Sequence, residues 1–155
     1  MTHTLADATT PVSPFVGTWR LVKFEMRLEN GKTIYPLGED CLGSLIYDEH
    51  GRFAGHLMKA GRPEFASGNI FEGTANEIKA AYSGYVAYFG TYEVDDQRKV
   101  ITHTAEGSLF PNWIGTMQER LYEFPSQDEV IESTPPLDVG GVKGVSALTW
   151  ARITS

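Results

Sequence analysis

The chain has a single cysteine, Cys41. An internal disulfide is therefore excluded, and so is a metal cluster built on several thiolates. No apolar run approaches the length of a membrane-spanning helix, which argues against a membrane as partner. Basic stretches are missing too. Lys and Arg number 13 against 20 Asp and Glu, for a formal net charge of −7. Such a surface disfavours nucleic acid and anionic lipid. The opening residues, "MTHTLADATTPVSP", carry no apolar core of the secretory type. The expectation is a cytoplasmic protein with a disordered tail over residues 1–14, and a homo-oligomer is left open. H-E-x-x-H, a phosphate loop and G-x-S-x-G are all absent. "GGVKG" at 140–144 has neither the spacing nor the following Ser/Thr of a phosphate loop and reads as a hairpin turn. His103 and Glu106 stand three apart, which on a strand puts them on opposite faces, so they make no metal pair. Neither a metal nor a cofactor is expected.

What remains is a chain of strands. Runs rich in β-branched and aromatic residues lie at about 17–28, 42–48, 52–59, 86–95, 98–107, 116–125, 128–134 and 145–153. "ENGK", "DEHG", "DDQR", "PSQD" and "LDVGG" supply turn chemistry between them. No repeat and no shift in composition marks a second domain, and 155 residues suffice for one real core. One segment breaks the pattern. Thr74-Ala75-Asn76-Glu77 has the form of a capping box. Behind it Ile78, Ala81, Tyr82, Tyr85 and Val86 recur at helical spacing. The pattern predicts a short amphipathic helix over about 74–84, laid against a sheet.

About eight antiparallel strands joined by tight turns must deal with their edges. Closing the sheet into an up-and-down barrel removes them and leaves room for one small ligand. A two-sheet sandwich is the alternative.

Gly17-Thr18-Trp19 opens the first strand and Arg152 lies in the last, "LTWARI". The pairing resembles the lipocalin superfamily, in which a Gly-x-Trp tryptophan packs beneath an arginine from near the chain end. With "PLGEDCLGSLIYDEHGRF", "GRPEFASG", "AAYSGYVAYFGTYEV" and "HTAEGSLFPNWIGT", the chain from about Phe15 is similar to the bacterial and fungal lipocalin-like domain family. The resemblance implies an all-β, lipocalin-like up-and-down barrel of about eight strands over residues 15–155, with one short helix and an internal cavity. It implies little about chemistry. Signal peptide, disulfide and a helix after the last strand, features of secreted lipocalins, are all missing.

Hairpin pairing indicates the lining. With Asp95–Arg98 as the turn, Val94 faces Lys99, and one face holds Tyr88, Gly90, Tyr92, Ile101, His103 and Ala105. The other face, with Phe89, Thr91, Glu93, Val100, Thr102, Thr104 and Glu106, reads as solvent. On the next strand Glu119 and Glu123 belong outside, which sends Gln118, Arg120 and Tyr122 inward. A slip of one residue would invert every assignment. His56 is left without a facing, and Cys41 reads as packing.

The lining is aromatic with a few polar groups, the profile of a ligand pocket. Tyr88, Tyr92, Trp113, Gln118 and Tyr122 are the candidate ligand contacts. Arg120 suits a carboxylate, phenolate or enolate oxygen. His103 suits proton transfer near neutral pH. A plainer reading pairs the buried His with a Tyr and Arg120 with a carboxylate across the barrel. The connection "AEGSLFPNWIG" carries Leu109, Phe110, Trp113 and Ile114 where turns are usually polar. Folded inward at one end of the barrel, Phe110, Trp113 and Ile114 would close it and bring Trp113 to the ligand.

Two functions fit. One is the binding of a small, largely apolar or aromatic molecule. The other is a cofactor-independent isomerase, cyclase or hydratase of secondary metabolism, with His103 and Arg120 as catalytic groups. A barrel with a filled interior, built for structure or for a partner, is the third and plainest reading.

Overall fold

A twisted antiparallel sheet exposes two edges unless its first and last strands meet. Here they meet. The computed structural model describes residues 12–154; the expected tail falls almost entirely outside them. The elements are β1 (Gly17–Leu28), β2 (Thr33–Ile34), β3 (Leu42–Tyr47), β4 (Arg52–Met58), α1 (Ala75–Ser83), β5 (Tyr85–Asp95), β6 (Val100–Ser108), β7 (Met117–Ser126), β8 (Glu129–Ser133), β9 (Leu137–Val139) and β10 (Val142–Arg152). Each long strand pairs with the next, and β1 pairs with β10. The result is a closed antiparallel barrel of eight long strands; the short β2 and β9 extend β1 and β10 at one end. No helix among the described residues is long and apolar enough to cross a membrane.

The two ends differ. Tight turns join β3 to β4, β5 to β6 and β7 to β8 at one end, beside the start of β1. The longer connections all lie at the other: residues 29–41, 59–84, 109–116 and 134–141. The first end is the floor and the second is the mouth.

Trp19 is fully buried at the floor. The Arg152 guanidinium lies 4.2 Å from its ring centroid, a cation–π contact in which the flat cation also keeps its donors in plane. Two of those donors reach the lead-in to β1, Nη1 to the Val16 carbonyl at 2.8 Å and Nη2 to that of Pro14 at 2.7 Å, and Nε donates to the Gln127 carbonyl in the β7–β8 turn at 3.1 Å. Trp19 Nε1 donates to the Phe15 carbonyl at 2.9 Å. Gly17 completes the arrangement. Its φ is +142°, and a Cβ there would stand 2.7 Å from Arg152 Nη1. Phe15, packed edge-on against Tyr47, Tyr122 and Phe124, fills the space above.

Bulges in β1 and β7 set which of their residues face inward. In β1, Trp19 and Leu21 point in; Val22 is the extra residue, and beyond it Phe24 lines the interior opposite Leu148. In β7 the register shifts between Glu123 and Ser126. Pro125, which has no N–H to give the ladder, stands inside that gap. The β5–β6 register differs from the expected one by two residues: Val94 faces Ile101, and Tyr92 faces His103. The Asp95 carboxylate accepts from the Gln97 and Arg98 amides, and Lys99 takes φ of 55°, so the turn runs on past Arg98. As far as Gly90 the even shift preserves parity; a further bulge at Glu106 then sets Tyr88 opposite Ser108, and Tyr88, Ile101, His103 and Ala105 remain on the inner face. Val100, expected on the solvent face, is buried beside the turn.

α1 begins as the sequence predicts. Thr74 Oγ1 accepts from the Glu77 amide at 3.2 Å, and Glu77 Oε1 accepts from the Thr74 amide at 2.8 Å. The expected packing against a sheet is corrected, however. No residue of α1 is buried, and Ile78 and Tyr82 are about half exposed. A closed barrel has no free apolar sheet face to offer, so the helix stays in the mouth-end connection beside β5 and the preceding loop, with no residue in the cavity wall. His56 faces outward, beside the Tyr85 hydroxyl at 3.2 Å.

Trp19→Ala is expected to lower stability by about 3–5 kcal/mol, the range for an emptied aromatic site in a core. Arg152→Lys, which keeps the charge and loses the planar fork, should cost less. Chemical denaturation measures both, and an unchanged midpoint for Trp19→Ala would remove this contact from its central place.

Candidate functional site

Above the floor the barrel holds a cavity of about 780 Å³ that opens at the mouth. Phe24, Leu45, Leu57, Val86, Tyr88, Trp113, Leu148 and Trp150 form its apolar wall. Arg120, Gln118, Glu132, Thr134 and Ser146 interrupt it. Many apolar groups and few polar ones are what a small-molecule site needs: area for affinity, directed groups for orientation.

Strand parity and strand depth together decide which expected residues reach the cavity. Tyr88, Trp113, Gln118 and Arg120 line it. Tyr92 shares the inner face of Tyr88 but lies four residues, ~13 Å, further toward the floor. Its hydroxyl donates to the Asp48 carbonyl at 2.7 Å, and its ring meets Tyr47. Tyr122 is likewise a floor residue. Its hydroxyl donates to Asp96 Oδ1 at 2.7 Å. Burial first, and Asp96 second, push that hydroxyl up to about 12. His103 lies behind the lining, in ring contact with Phe53, Tyr47 and Tyr88. It is fully buried.

The connection 109–116 makes one inward contact where three were expected. Its single 3-10 turn, Pro111–Trp113, rotates successive side chains by about a third of a circle. Trp113 turns to the cavity and packs edge-on against Tyr88 at 5.2 Å. Phe110 covers the other side of the indole at 5.9 Å and, like Leu109 and Ile114, stays partly exposed. Thr116 fixes the turn: its amide and Oγ1 both donate to the Trp113 carbonyl, at 2.9 and 2.7 Å. The same Oγ1 accepts from Gln118 Nε2 at 2.9 Å.

Two residues in this region carry no signal in the hairpin reading: Tyr47 and Glu132. The Tyr47 hydroxyl donates to Glu132 Oε1 at 2.6 Å and meets His103 Nε2 at 2.6 Å. A tyrosine has one proton to give. When the carboxylate takes it, the imidazole must supply the proton to the phenol oxygen from Nε2. His103 Nδ1 is then a bare acceptor, and it has no partner among the described residues. The β7 bulge explains why Glu132 is hard to foresee. A regular hairpin from the Ser126–Glu129 pair would set Glu132 opposite Glu123, on the outside. With the extra residue it stands opposite Tyr122, on the inside. Pro125, next to last in β7, is the one sequence signal for that switch.

Burial governs the charges. His103 is lowered to about 3, by desolvation and then by the Arg120 charge, so the ring stays neutral. Glu132 is raised to about 7 by desolvation, against the opposing pull of the Tyr47 hydrogen bond and of Arg120. Arg120 itself donates from Nη1 to the Glu119 carbonyl at 2.9 Å. No group of three His, Cys, Asp or Glu among the described residues is arranged to hold a metal.

The sequence profile of the lipocalin-like domain matches residues 16–153. Among characterised proteins, the chain is 34% identical over 104 residues to the 4′-hydroxy-3′-methoxypropiophenone carrier protein ppsC of Aspergillus oryzae (strain ATCC 42149 / RIB 40). That match covers 63% of this chain and 93% of the relative. Two solved structures with similar outlines are designed barrels. One is a redesigned β-barrel, at 11% identity and TM-score 0.42 over 92% of this chain and 95% of that one. The other is a de novo fluorescence-activating β-barrel, at 14% identity and TM-score 0.42 over 92% and 96%.

A carboxyl raised from 4.5 to about 7 costs stability as pH climbs through that window, because the unfolded chain ionises first. His103, held near 3, acts in the opposite sense: its stability contribution is lost as pH falls below about 6.5. Glu132→Gln removes only the first effect. Its stability relative to the parent is therefore expected to rise between about pH 4.5 and 7, by roughly 3 kcal/mol, and to level off above. Urea titrations across that range check the slope.

Proposed function

We propose that this chain, which belongs to the lipocalin-like domain family, is a cytoplasmic carrier that holds a small aromatic molecule bearing a carbonyl or acidic oxygen. The observation that carries the reading is the cavity: about 780 Å³, walled by Tyr88, Trp113 and Trp150, with Arg120 and Gln118 beside them. Aromatic faces supply contact area to a flat ligand. Arg120 supplies a donor that is always charged, suited to an oxygen acceptor. The name of the fungal relative, a carrier for a hydroxylated aryl ketone, supports the same class of cargo. Tyr88, Trp113, Gln118 and Arg120 are the residues assigned to contact it.

The isomerase, cyclase or hydratase alternative depended on His103 as proton shuttle. A fully buried imidazole, kept neutral and standing behind the lining, gives it no support.

Titration with aryl ketones, followed by quenching of tryptophan fluorescence, tests the reading, since Trp113 and Trp150 both line the site. Saturable quenching without chemical change to the ketone is expected. Arg120→Met, which keeps volume and removes charge, should weaken binding by about 1.5–3 kcal/mol, the scale of a hydrogen bond to a charged group. An aromatic hydrocarbon of similar size should hardly notice the change. Turnover of the ketone, or no binding at all, would overturn the carrier reading.

A further inference from the structure

Arg120 accounts for a ligand oxygen that accepts. It leaves a second ionisable group at the cavity, the Glu132 carboxyl, without a task. Glu132 is only 4% exposed, yet it borders the cavity. Oε1 is held by Tyr47, and that is the one hydrogen bond its side chain makes among the described residues. Arg120 lines the same cavity without forming an ion pair to it. A wholly apolar cargo would cover both groups and satisfy neither, a costly outcome for a buried carboxyl.

We infer that Glu132 is the second polar anchor of the cavity, accepting a hydrogen bond from a hydroxyl or N–H group of the ligand while Arg120 holds its carbonyl. The cargo class narrows accordingly, from aromatic carbonyl compounds to those that also carry a donor: hydroxyaryl ketones, acids or amides. The inference rests on the carrier reading and goes beyond it by assigning selectivity. A site built to receive a donor rejects the analogue that lacks one, because its own acceptor is then stranded.

Tyr47 is a positioning residue in this account. Its hydroxyl fixes one carboxyl oxygen, and His103 in turn fixes that hydroxyl. The surroundings also set how the anchor titrates. Tyr47 faces it from β3, with His103 of β6 behind that hydroxyl, Tyr88 from β5, and Arg120 and Tyr122 from β7; β10 presents Ser146, Leu148 and Trp150, and β1 presents Phe24, none of them titratable. Arg120 is the one cation in that set. The ligand's donor prefers the ionised carboxylate, so its preference should strengthen as pH rises through neutrality.

The test uses two probes, 4′-hydroxy-3′-methoxypropiophenone and its 4′-O-methyl ether, which differ by one donor. Calorimetric titration at about pH 6 and about pH 7.5 gives the ratio of their affinities on either side of the Glu132 transition. The parent protein should prefer the phenol by about tenfold or more at the higher pH, and less at the lower. Glu132→Gln, which keeps an acceptor oxygen but cannot ionise, should make the preference the same at both pH values, and Glu132→Met, which has no acceptor oxygen, should bring the two probes to near parity. Tyr47→Phe should keep the preference but move its onset to higher pH, since the hydrogen bond that favours the ionised carboxyl is gone; a merely structural role for Tyr47 would not move that onset. Equal ratios in the parent and in Glu132→Met overturn the anchor and leave the carrier reading standing. Failure of both probes to bind the parent overturns the two together.

Discussion

The barrel depends on a cation resting on a ring. Arg152 comes from the last strand and Trp19 from the first, and their contact stands at the point where the sheet must close. A closing seam held only by backbone hydrogen bonds would be free to slip by two residues without changing which faces point inward. The Arg152 donors, aimed at the carbonyls of Pro14 and Val16, tie the seam to one register. They also draw the lead-in across the floor, which seats Phe15 at the base of the core. Everything above inherits its height from this base: the tyrosines of the lower barrel, the polar chain at mid-depth, then the cavity.

How far the sequence reveals this structure differs by level. The eight long strands, the capping box and the Trp19–Arg152 pair are all legible, because alternation, turn chemistry and a motif each speak locally. Facing is legible along β5, β6 and β7, where parity survives even a two-residue error in register. Depth is not. Tyr88 and Tyr92 have the same parity, and only the position of the floor tells that one meets the cavity and the other Asp48. Bulges are the second blind spot. Val22 and the Pro125 region each insert one residue, and each reverses the facing of the residues beyond it. Glu132 was hidden by that reversal. α1 shows a third limit: its helical periodicity is real, but periodicity does not say whether a surface is available to receive the apolar side.

The interior holds two opposed tendencies. The floor half is packed with aromatic rings at edge-to-face distances. The mouth half leaves space and keeps a carboxyl, a guanidinium and an amide beside it. Between them the His103–Tyr47–Glu132 chain spans the barrel from β6 through β3 to β8. Such a chain resists rearrangement, because moving any member strands the next. It therefore serves as the rigid sill on which a cargo would sit, and it separates a part of the molecule that must not change from a part that can.

The pairing of β1 with β10 has a consequence for how the barrel comes into being. Every other seam joins strands that are neighbours in sequence, and those hairpins can assemble locally. The last seam joins Trp19 to Arg152 and must bring together residues 133 positions apart. The entropy of that closure is spent before its contacts form. Acquisition of the native state is thus a zipper with a distant clasp: a curled meander of strands awaits a single long-range encounter. The same seam places the start of β1 and the end of β10 side by side. Joining them and opening the chain at one of the tight floor turns would leave every strand pair intact and convert the distant clasp into a local one.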